Sequence, residues 1–247
     1  MSKQSGIGSG FYVGTADLSG DTGALSQVET MRPSFSTTSI QDAAMERILL
    51  RRDGSMAFNA FWNTAVGQAH ATLSALPTTD VISTLAINNA AVGDPGASMV
   101  AKQMNYAIAY GADGSLGATV NLSANGYGLE WGQLLSTGKQ SFGTGTVDGT
   151  SIDLGSTSTL FGASAYLHVF SVASGTATFA VQDSADNSSF ADVTGMVFTA
   201  ATGATTERKQ GAVNATVRRY VRLEGRGTHG AAVVVCNFVR YLESPAT

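Results

Sequence analysis

The triplet Asp-Gly-Ser occurs twice, at 53–55 within "RRDGSMAF" and at 113–115 within "GADGSLGATV". A carboxylate beside a hydroxyl on a turn could activate a nucleophile. The same residues also punctuate a chain, because glycine takes positive φ freely and Asp hydrogen-bonds its own backbone. "GIGSG" at 6–10 partly matches a dinucleotide-binding loop, but no strand pattern precedes it and no helix pattern follows, so it reads as a flexible N-terminal arm. His70, His168 and His229 stand alone, without a carboxylate or cysteine at ligand spacing, which argues against a metal site. "QDSADN" gathers Asp183, Asp186 and Asn187, which could hold calcium, although a plain Asx-type turn is the commoner use.

The remaining candidates are weaker. No Ser, His and Asp fall at a spacing usable for a triad, so no catalytic residue and no cofactor is expected. The single Cys236 lies inside "AAVVVCNFV" and reads as a buried thiol. Trp62 and Trp131 both belong to the first half, leaving the C-terminal half without the Trp platform common in sugar binding. Tyr166, Tyr220 and Tyr241 could replace it, but burial is the default for strand tyrosines.

The flanks of the two triplets predict different elements. In "STTSIQDAAMERILLRRDG", Ser39 stands three residues before Asp42 as in a capping box, and Ile40, Ala43, Ala44 and Ile48 share one helical face. The expectation is a helix of about three turns, with Arg51 and Arg52 at its C-terminal end and Gly54 as the left-handed residue that closes it. A strand then starts at "SMAFNAFW".

The second triplet lies between two alternating segments, 102–110 and 115–125, and predicts a β-hairpin. A two-residue loop would oppose apolar to polar side chains. A three-residue loop of Ala112, Asp113 and Gly114 pairs Tyr110 with Leu116, Ile108 with Ala118, Tyr106 with Val120 and Met104 with Leu122. The other face then carries Ala107 opposite Thr119, Asn105 opposite Asn121 and Gln103 opposite Ser123. That face is small, neutral and hydrogen-bonding: either simply a surface of low charge, or one meant to touch something without gripping it.

Elsewhere in the first half, 68–76 predicts a short helix stopped by Pro77, 80–87 a strand, and 88–98 a loop. The Gly, Ser and Thr-rich run from Leu135 predicts a linker, with a domain boundary near 140–160. Beyond it, strands are expected at 166–172, 176–184, 190–200, 218–225 and 231–242. With no helical pattern among them, they argue for a small antiparallel β-sandwich of immunoglobulin-like size.

Composition sets the class. The 247 residues suffice for one large or two ordinary domains, and a charged fraction of 13% with 29 glycines fits an all-β chain whose surface is partly covered by neighbouring copies. Residues 1–150 carry seven basic against eleven acidic side chains and 151–247 seven against seven, so the net charge of −4 sits wholly in the first half. Neither half has the basic excess of a nucleic-acid binder. The start lacks an apolar signal core and no apolar run reaches bilayer length, so the expectation is a chain made and soluble in a cytoplasm.

The segments "FSTTSIQDAAMERILLRRDGSMAFNAFWN", "GQAHATLSALPTTD" and "DGSLGATVNLSANGYGLEWG" resemble major tail tube proteins of long-tailed bacteriophages, particularly those of actinobacterial phages. "FAVQDSADNSSFADVTG" and "RRYVRLEG" resemble the β-sandwich domain that often decorates such proteins. The resemblance implies a mainly β fold. A tail tube domain at 1–150 would carry an N-terminal arm of about 1–36 and a flanking helix, and an immunoglobulin-like outer domain would follow at 151–247. It implies a non-enzymatic virion protein, assembled in the host cytoplasm as six-fold rings that stack into a tube. Tip, terminator and tape measure proteins would be its partners, and DNA would pass through the bore without specific binding. Gln103, Asn105, Thr119, Asn121 and Ser123 would then face the lumen, where cations would hold phosphate. Two other readings remain: a virion module that binds the host surface or glycans through the C-terminal sandwich, and a capsid decoration protein.

Overall fold

A computed structural model describes residues 5–155 and 157–244. The first four residues of the expected N-terminal arm, and Ser156 and 245–247 of the expected C-terminal domain, lie outside the described residues. The chain is mainly β and antiparallel. In order, the first half holds β1 (Gly10–Val13), β2 (Ala16–Asp17), β3 (Thr22–Met31), β4 (Ser34–Ser36), β5 (Arg47–Leu49), β6 (Asp53–Phe61), helix α1 (Ala69–Leu73), β7 (Val81–Ala86), β8 (Pro95–Gln103), β9 (Ala107–Tyr110), β10 (Leu116–Ala124) and β11 (Glu130–Leu134). The second holds β12 (Gln140–Phe142), β13 (Val147–Asp148), β14 (Ile152–Asp153), β15 (Ala163–Val172), β16 (Thr178–Ser184), β17 (Ala191–Val197), β18 (Thr205–Gln210), β19 (Tyr220–Arg226) and β20 (Ala232–Arg240).

One sheet runs through both halves in the order β18-β15-β20-β11-β8-β10-β6-β3, with β1, β2, β7, β9 and β12 attached to it. β11 joins the halves by pairing Trp131 with Ala97 on β8 and Gln133 with Phe238 on β20. A second sheet, β13-β19-β16-β17 with β14 beside β19, covers the C-terminal part. The cores divide more sharply than the sheet. Phe11, Leu18, Phe58, Leu73, Met99 and Leu122 fill one cluster, drawn only from residues up to Leu129. Phe142, Phe179, Val221, Leu223, Cys236 and Phe238 fill another, drawn from Leu135 onward. The expected boundary at 140–160 therefore falls inside the second core, and the run expected to be a linker contains β12, whose Phe142 is fully buried against Phe179.

Alternation dictates much of this. β10 turns Ala118, Val120 and Leu122 inward and pairs them with Ala60, Phe58 and Met56 of β6. The five C-terminal strands expected from the sequence form, and β18, too polar to announce itself, pairs along β15.

Several expectations are overturned. Residues 39–48 are not a helix: β4 and β5 form an isolated two-stranded hairpin, pairing Ser34 with Leu49 and Phe35 with Ile48. The capping-box residues make a tight turn instead, with Asp42 Oδ2 accepting from the Ser39 N–H at 2.5 Å and the Asp42 N–H donating to the Ser39 carbonyl. Among the described residues nothing covers the expected apolar face, so helix packing has no surface to act on. Gly54 closes no helix and is not left-handed; it pairs with Thr30 inside β6. The stretch 10–31 is no free arm, since Phe11, Tyr12 and Val13 are buried in β1 and β3 runs along β6. "GIGSG" is the turn that leads into β1.

The hairpin register also shifts. Gly111 and Ser115 exchange a bond around Ala112, Asp113 and Gly114, and Tyr110 faces Leu116 and Ile108 faces Ala118. Beyond Ala107 the strand breaks, and Leu122 pairs with Gln103 instead of Met104, which is exposed. Two polar demands cause the slip. Gln103 Nε2 turns inward to the Leu73 carbonyl at the end of α1 (2.6 Å), and Asn105 Oδ1 takes over the backbone role by accepting from Asn121 N–H (2.7 Å).

A Cβ on Gly54 would stand 2.4 Å from Leu129 Cβ and 2.6 Å from Leu129 N, too close for the β10–β11 connection to stay in place. Gly54→Ala is expected to cost about 1–3 kcal/mol of unfolding free energy, measured by urea titration at unchanged m-value. An unchanged midpoint would show that this close approach is not required.

Candidate functional site

The polar face of the first-half sheet extends over three strands. On β10 it carries Thr119, Asn121 and Ser123. Opposite these stand Asn59, Ala57 and Ser55 on β6, and opposite those Ala24, Gln27 and Glu29 on β3. Thr119 Oγ1 donates to Asn59 Oδ1 (3.0 Å), and Asn121 Nδ2 to Asn105 Oδ1 (3.1 Å). β3, β6 and β10 bring no Lys or Arg to this face; charge enters only at one end, as Glu29 and Asp53 and, on β8 opposite Ser123, as Lys102, which is paired with Asp80 at 2.9 Å. Thr119 is exposed, and Asn105, Asn121 and Ser123 are half-buried. Gln103, placed on this face by the expected register, is buried and does not belong to it. Sequence reasoning missed Asn59, Ser55 and Gln27, although "AFNAF" and "LSQVE" carry the alternation that would have found them.

Where the halves meet, one carboxylate gathers four groups. Glu130 of β11 accepts from Tyr166 Oη (2.5 Å) and Ser164 Oγ (2.8 Å) of β15, Tyr241 Oη (2.7 Å), and Arg208 Nη2 of β18 (3.2 Å). Burial pushes the Glu130 carboxyl up, but the Arg208 guanidinium and these donors outweigh it and hold the group below its usual range. Burial and the Glu130 charge push the Tyr166 phenol well above its ordinary value. All these donors to Glu130 come from the C-terminal half, so the cluster cross-links the two cores. The sequence held one signal for it, a single acid between Leu129 and Trp131 in an apolar strand.

A second buried chain of polar groups crosses the same junction. Asn237 Nδ2 donates to Ser98 Oγ (2.9 Å), Ser98 and Thr84 share a bond of 2.7 Å, and Thr84 Oγ1 lies 2.8 Å from His168 Nε2. His168 Nδ1 lies 2.7 Å from the Gly14 carbonyl, which can only accept, so Nδ1 carries the proton and Nε2 receives the Thr84 hydroxyl. Burial depresses the His168 pKa to about 4, against an upward pull from Gly14. The imidazole is a neutral structural link.

The other candidate residues are scattered. His70 stacks on Trp62 at 4.0 Å and meets Tyr106 Oη at 2.9 Å, while His229 is buried beside the Gly230 carbonyl. Asp183, Asp186 and Asn187 do not converge. Asp183 accepts from Arg218 N and Nε, and Asn187 accepts from Ser151. Asp186 closes an Asx-type turn on Ser188 and Ser189, whose backbone N–H groups, with Ser184, lower its pKa to about 2. Among the described residues no group of three or more His, Cys, Asp or Glu converges on a metal-sized site. Tyr166 and Tyr241 are buried, and Tyr220 is half-buried with Arg219 beside its ring, so they form no sugar platform. Cys236 is buried, and burial pushes its thiol pKa up. No helix is long and apolar enough to cross a membrane among the described residues.

No protein-family pattern and no curated protein matches the chain. Among solved structures, the chain is similar to a protein in the tail of an empty gene transfer agent particle refined with C6 helical symmetry, at 14% identity and TM-score 0.39 over 52% of this chain and 98% of the other. It is also similar to the SPP1 Dit protein (12% identity, TM-score 0.34, 94% and 99% covered) and to a chain of the phage p2 baseplate (9% identity, TM-score 0.35, 97% and 99% covered).

Two stability tests follow from the junction. Because the folded-state pKa of His168 is depressed, the unfolded chain binds the extra proton between about pH 6.5 and 4, and stability falls as pH drops through that window. Between pH 7.5 and 5.0 the loss should be about 2 kcal/mol in urea titrations and should be absent from His168→Gln. A native chain equally stable at both pH values would refute the neutral buried assignment. Glu130→Ala strands Arg208 and should cost about 3–5 kcal/mol by the same measurement. A loss below 1 kcal/mol would mean that water replaces the carboxylate.

Proposed function

We propose that this chain is a structural protein of a phage virion, the major subunit of a tail tube, in which six-fold rings stack into a conduit for DNA. The observation that carries the reading is the neutral face together with the two edges that flank it. Among the described residues β3 pairs only with β6, and β9 only with β10, so the sheet has a free edge along β3 and, on the opposite side, a short one at Ala107–Tyr110, next to the stretch of β10 that β8 covers. The order β3-β6-β10-β9 is antiparallel throughout, which makes β3 and β9 antiparallel to each other. The β9 edge of one copy can therefore meet the β3 edge of the next in antiparallel pairing. Such a head-to-tail contact closes into a ring when the rotation allows. A ring built this way carries the face of Asn59, Thr119 and Asn121 around one continuous wall.

A wall whose one cation among the described residues, Lys102 at the end of the face, is already paired with Asp80 suits a DNA bore. Every Lys or Arg would add a salt-dependent phosphate contact and be repeated in each copy. The second half, with its own core and second sheet, would stand outside this wall, and other tail proteins would meet the tube at its ends. The sequence resemblance to tail tube proteins supports the same reading.

Electron microscopy of the concentrated protein, alone and with tail tip complexes as nuclei, is expected to show hollow tubes or six-fold rings. Particles that remain monomeric under both conditions would sink the proposal. Asn121→Cys probes the face in the native background, since Cys236 is buried and its thiol pKa raised. In assembled tubes a small thiol reagent should label position 121 much faster than a bulky one. Equal rates would put the residue on the outside. Asn121→Lys should leave assembly intact and slow DNA ejection in a salt-relieved way.

A further inference from the structure

The β4–β5 hairpin is the part of the molecule that its own fold explains least. Its apolar side chains are open to solvent, with Phe35, Met45, Ile48 and Leu49 each more than half exposed and Ile40 fully so. A lone two-stranded hairpin is marginal in water without a covering surface. Its stem is paired from the Leu50 N–H on the Pro33 carbonyl to the Thr37 N–H on the Glu46 carbonyl, about 13 Å of ladder. At the tip, Asp42 is held by the Ser39 N–H, and Arg47 rests on the Met45 sulfur at 3.2 Å. The Glu46 carboxylate has no partner among the described residues.

At the foot of the same hairpin lies a cleft of about 1050 Å³ between the hairpin, the β10–β11 connection and the edge of the second half. Arg32, Arg51 and Arg52 line it beside Leu49, Tyr127 and Val213. Of the acids at its wall, Glu130 is saturated by the junction donors, and Asp53 accepts from the Gly54 N–H. Arg32 and Arg51 have no ion pair or hydrogen bond among the described residues, and Arg52 approaches only Glu130, at 3.8 Å. The four basic and two acidic side chains lining the cleft leave it a net charge of +2 inside a chain of net charge −4.

We infer that this cleft is the receptor for the β4–β5 tip of a second copy of the chain, with the free Glu46 carboxylate meeting the Arg32–Arg51 guanidiniums and Ile40 and Met45 covering the apolar wall. The tip is acidic and apolar and the foot basic and apolar, so one hairpin presents both halves of the contact at opposite ends. The contact is head-to-tail, so every copy offers both a tip and a receptor. It rests on the tube reading only in giving copies a direction of stacking distinct from the sheet-edge pairing.

The test is a charge swap in the full chain, with self-association followed by sedimentation and light scattering at low and high salt. Glu46→Arg and Arg51→Glu are exposed changes that should leave the far-UV spectrum and melting temperature unaltered. Each alone should raise the concentration for half-assembly roughly tenfold or more at low salt, and the double variant should return it to within about threefold of the native value. A double variant no better than either single, or single reversals without effect, would overturn the inference. Tubes that still form in that case leave the tube reading standing, whereas a native chain that never associates removes both. Arg51→Glu that loses binding to a DNA duplex or to inorganic phosphate while self-association is unchanged would identify another anion as the occupant and also overturn it.

Discussion

A charge taken out of water must be answered within hydrogen-bonding distance, and the Glu130 carboxylate imposes that condition on the centre of this molecule. Its Coulomb attraction to Arg208 does not by itself offset the cost of burying both ions. Two phenol hydroxyls and a serine complete the shell, and these come from strands more than thirty residues further along the chain. The consequence is positional. β15, β18 and the end of β20 can supply those donors only if they lie where the continuous sheet places them. A polar requirement thus acts beside the small apolar clusters that straddle the junction, such as Ile82 and Val100 with Tyr166 and Val239, in fixing the relation between the two main cores. The relay from Asn237 to His168 and Gly14 repeats the device a few strands away, with neutral groups and one defined tautomer.

With the halves locked in this way, the first-half sheet is free to keep its other face uncovered. One side of β3, β6 and β10 spends its side chains on the core, through Val28, Met56, Phe58, Val120 and Leu122. The other carries side-chain hydrogen bonds from Thr119 to Asn59 and from Asn121 to Asn105. Such a face gains little by closing on a neighbour and loses little by staying wet, whereas the free strand edges carry unpaired backbone groups that another chain can meet.

Strand alternation made the second half legible, because five of its strands are bounded by turn residues and turn apolar side chains to a single interior. The tip of the β9–β10 hairpin was legible for the same reason. The register beyond it was not, since Gln103 answers an orphan carbonyl at the end of α1, a partner thirty residues away in sequence. The helix expected at 39–48 failed on a related ground. Ile40, Ala43, Ala44 and Ile48 have helical spacing, but spacing stabilises a helix only where a surface waits for it, and the described residues offer none. Gly54 misled in a different way: its lack of a Cβ serves the approach of Leu129, not a left-handed turn. Glu130 lay in plain view as one acid in an apolar strand, and only its partners, all distant in sequence, give it meaning.

The pairing of β3 with β6 slips twice, between Thr22 and Ala24 and between Leu25 and Gln27, and both irregularities lie in the strand that ends the sheet. Each extra residue bends its strand and increases the local twist. If six copies share one barrel, the wall must turn by about 60° per copy, and an edge strand is where a small change of bend alters that angle most. Ring number is then a property of curvature, set by where two spare residues sit and not by how strongly copies attract. In such a barrel, deleting one bulge residue would alter the circumference before it altered the affinity of the joints.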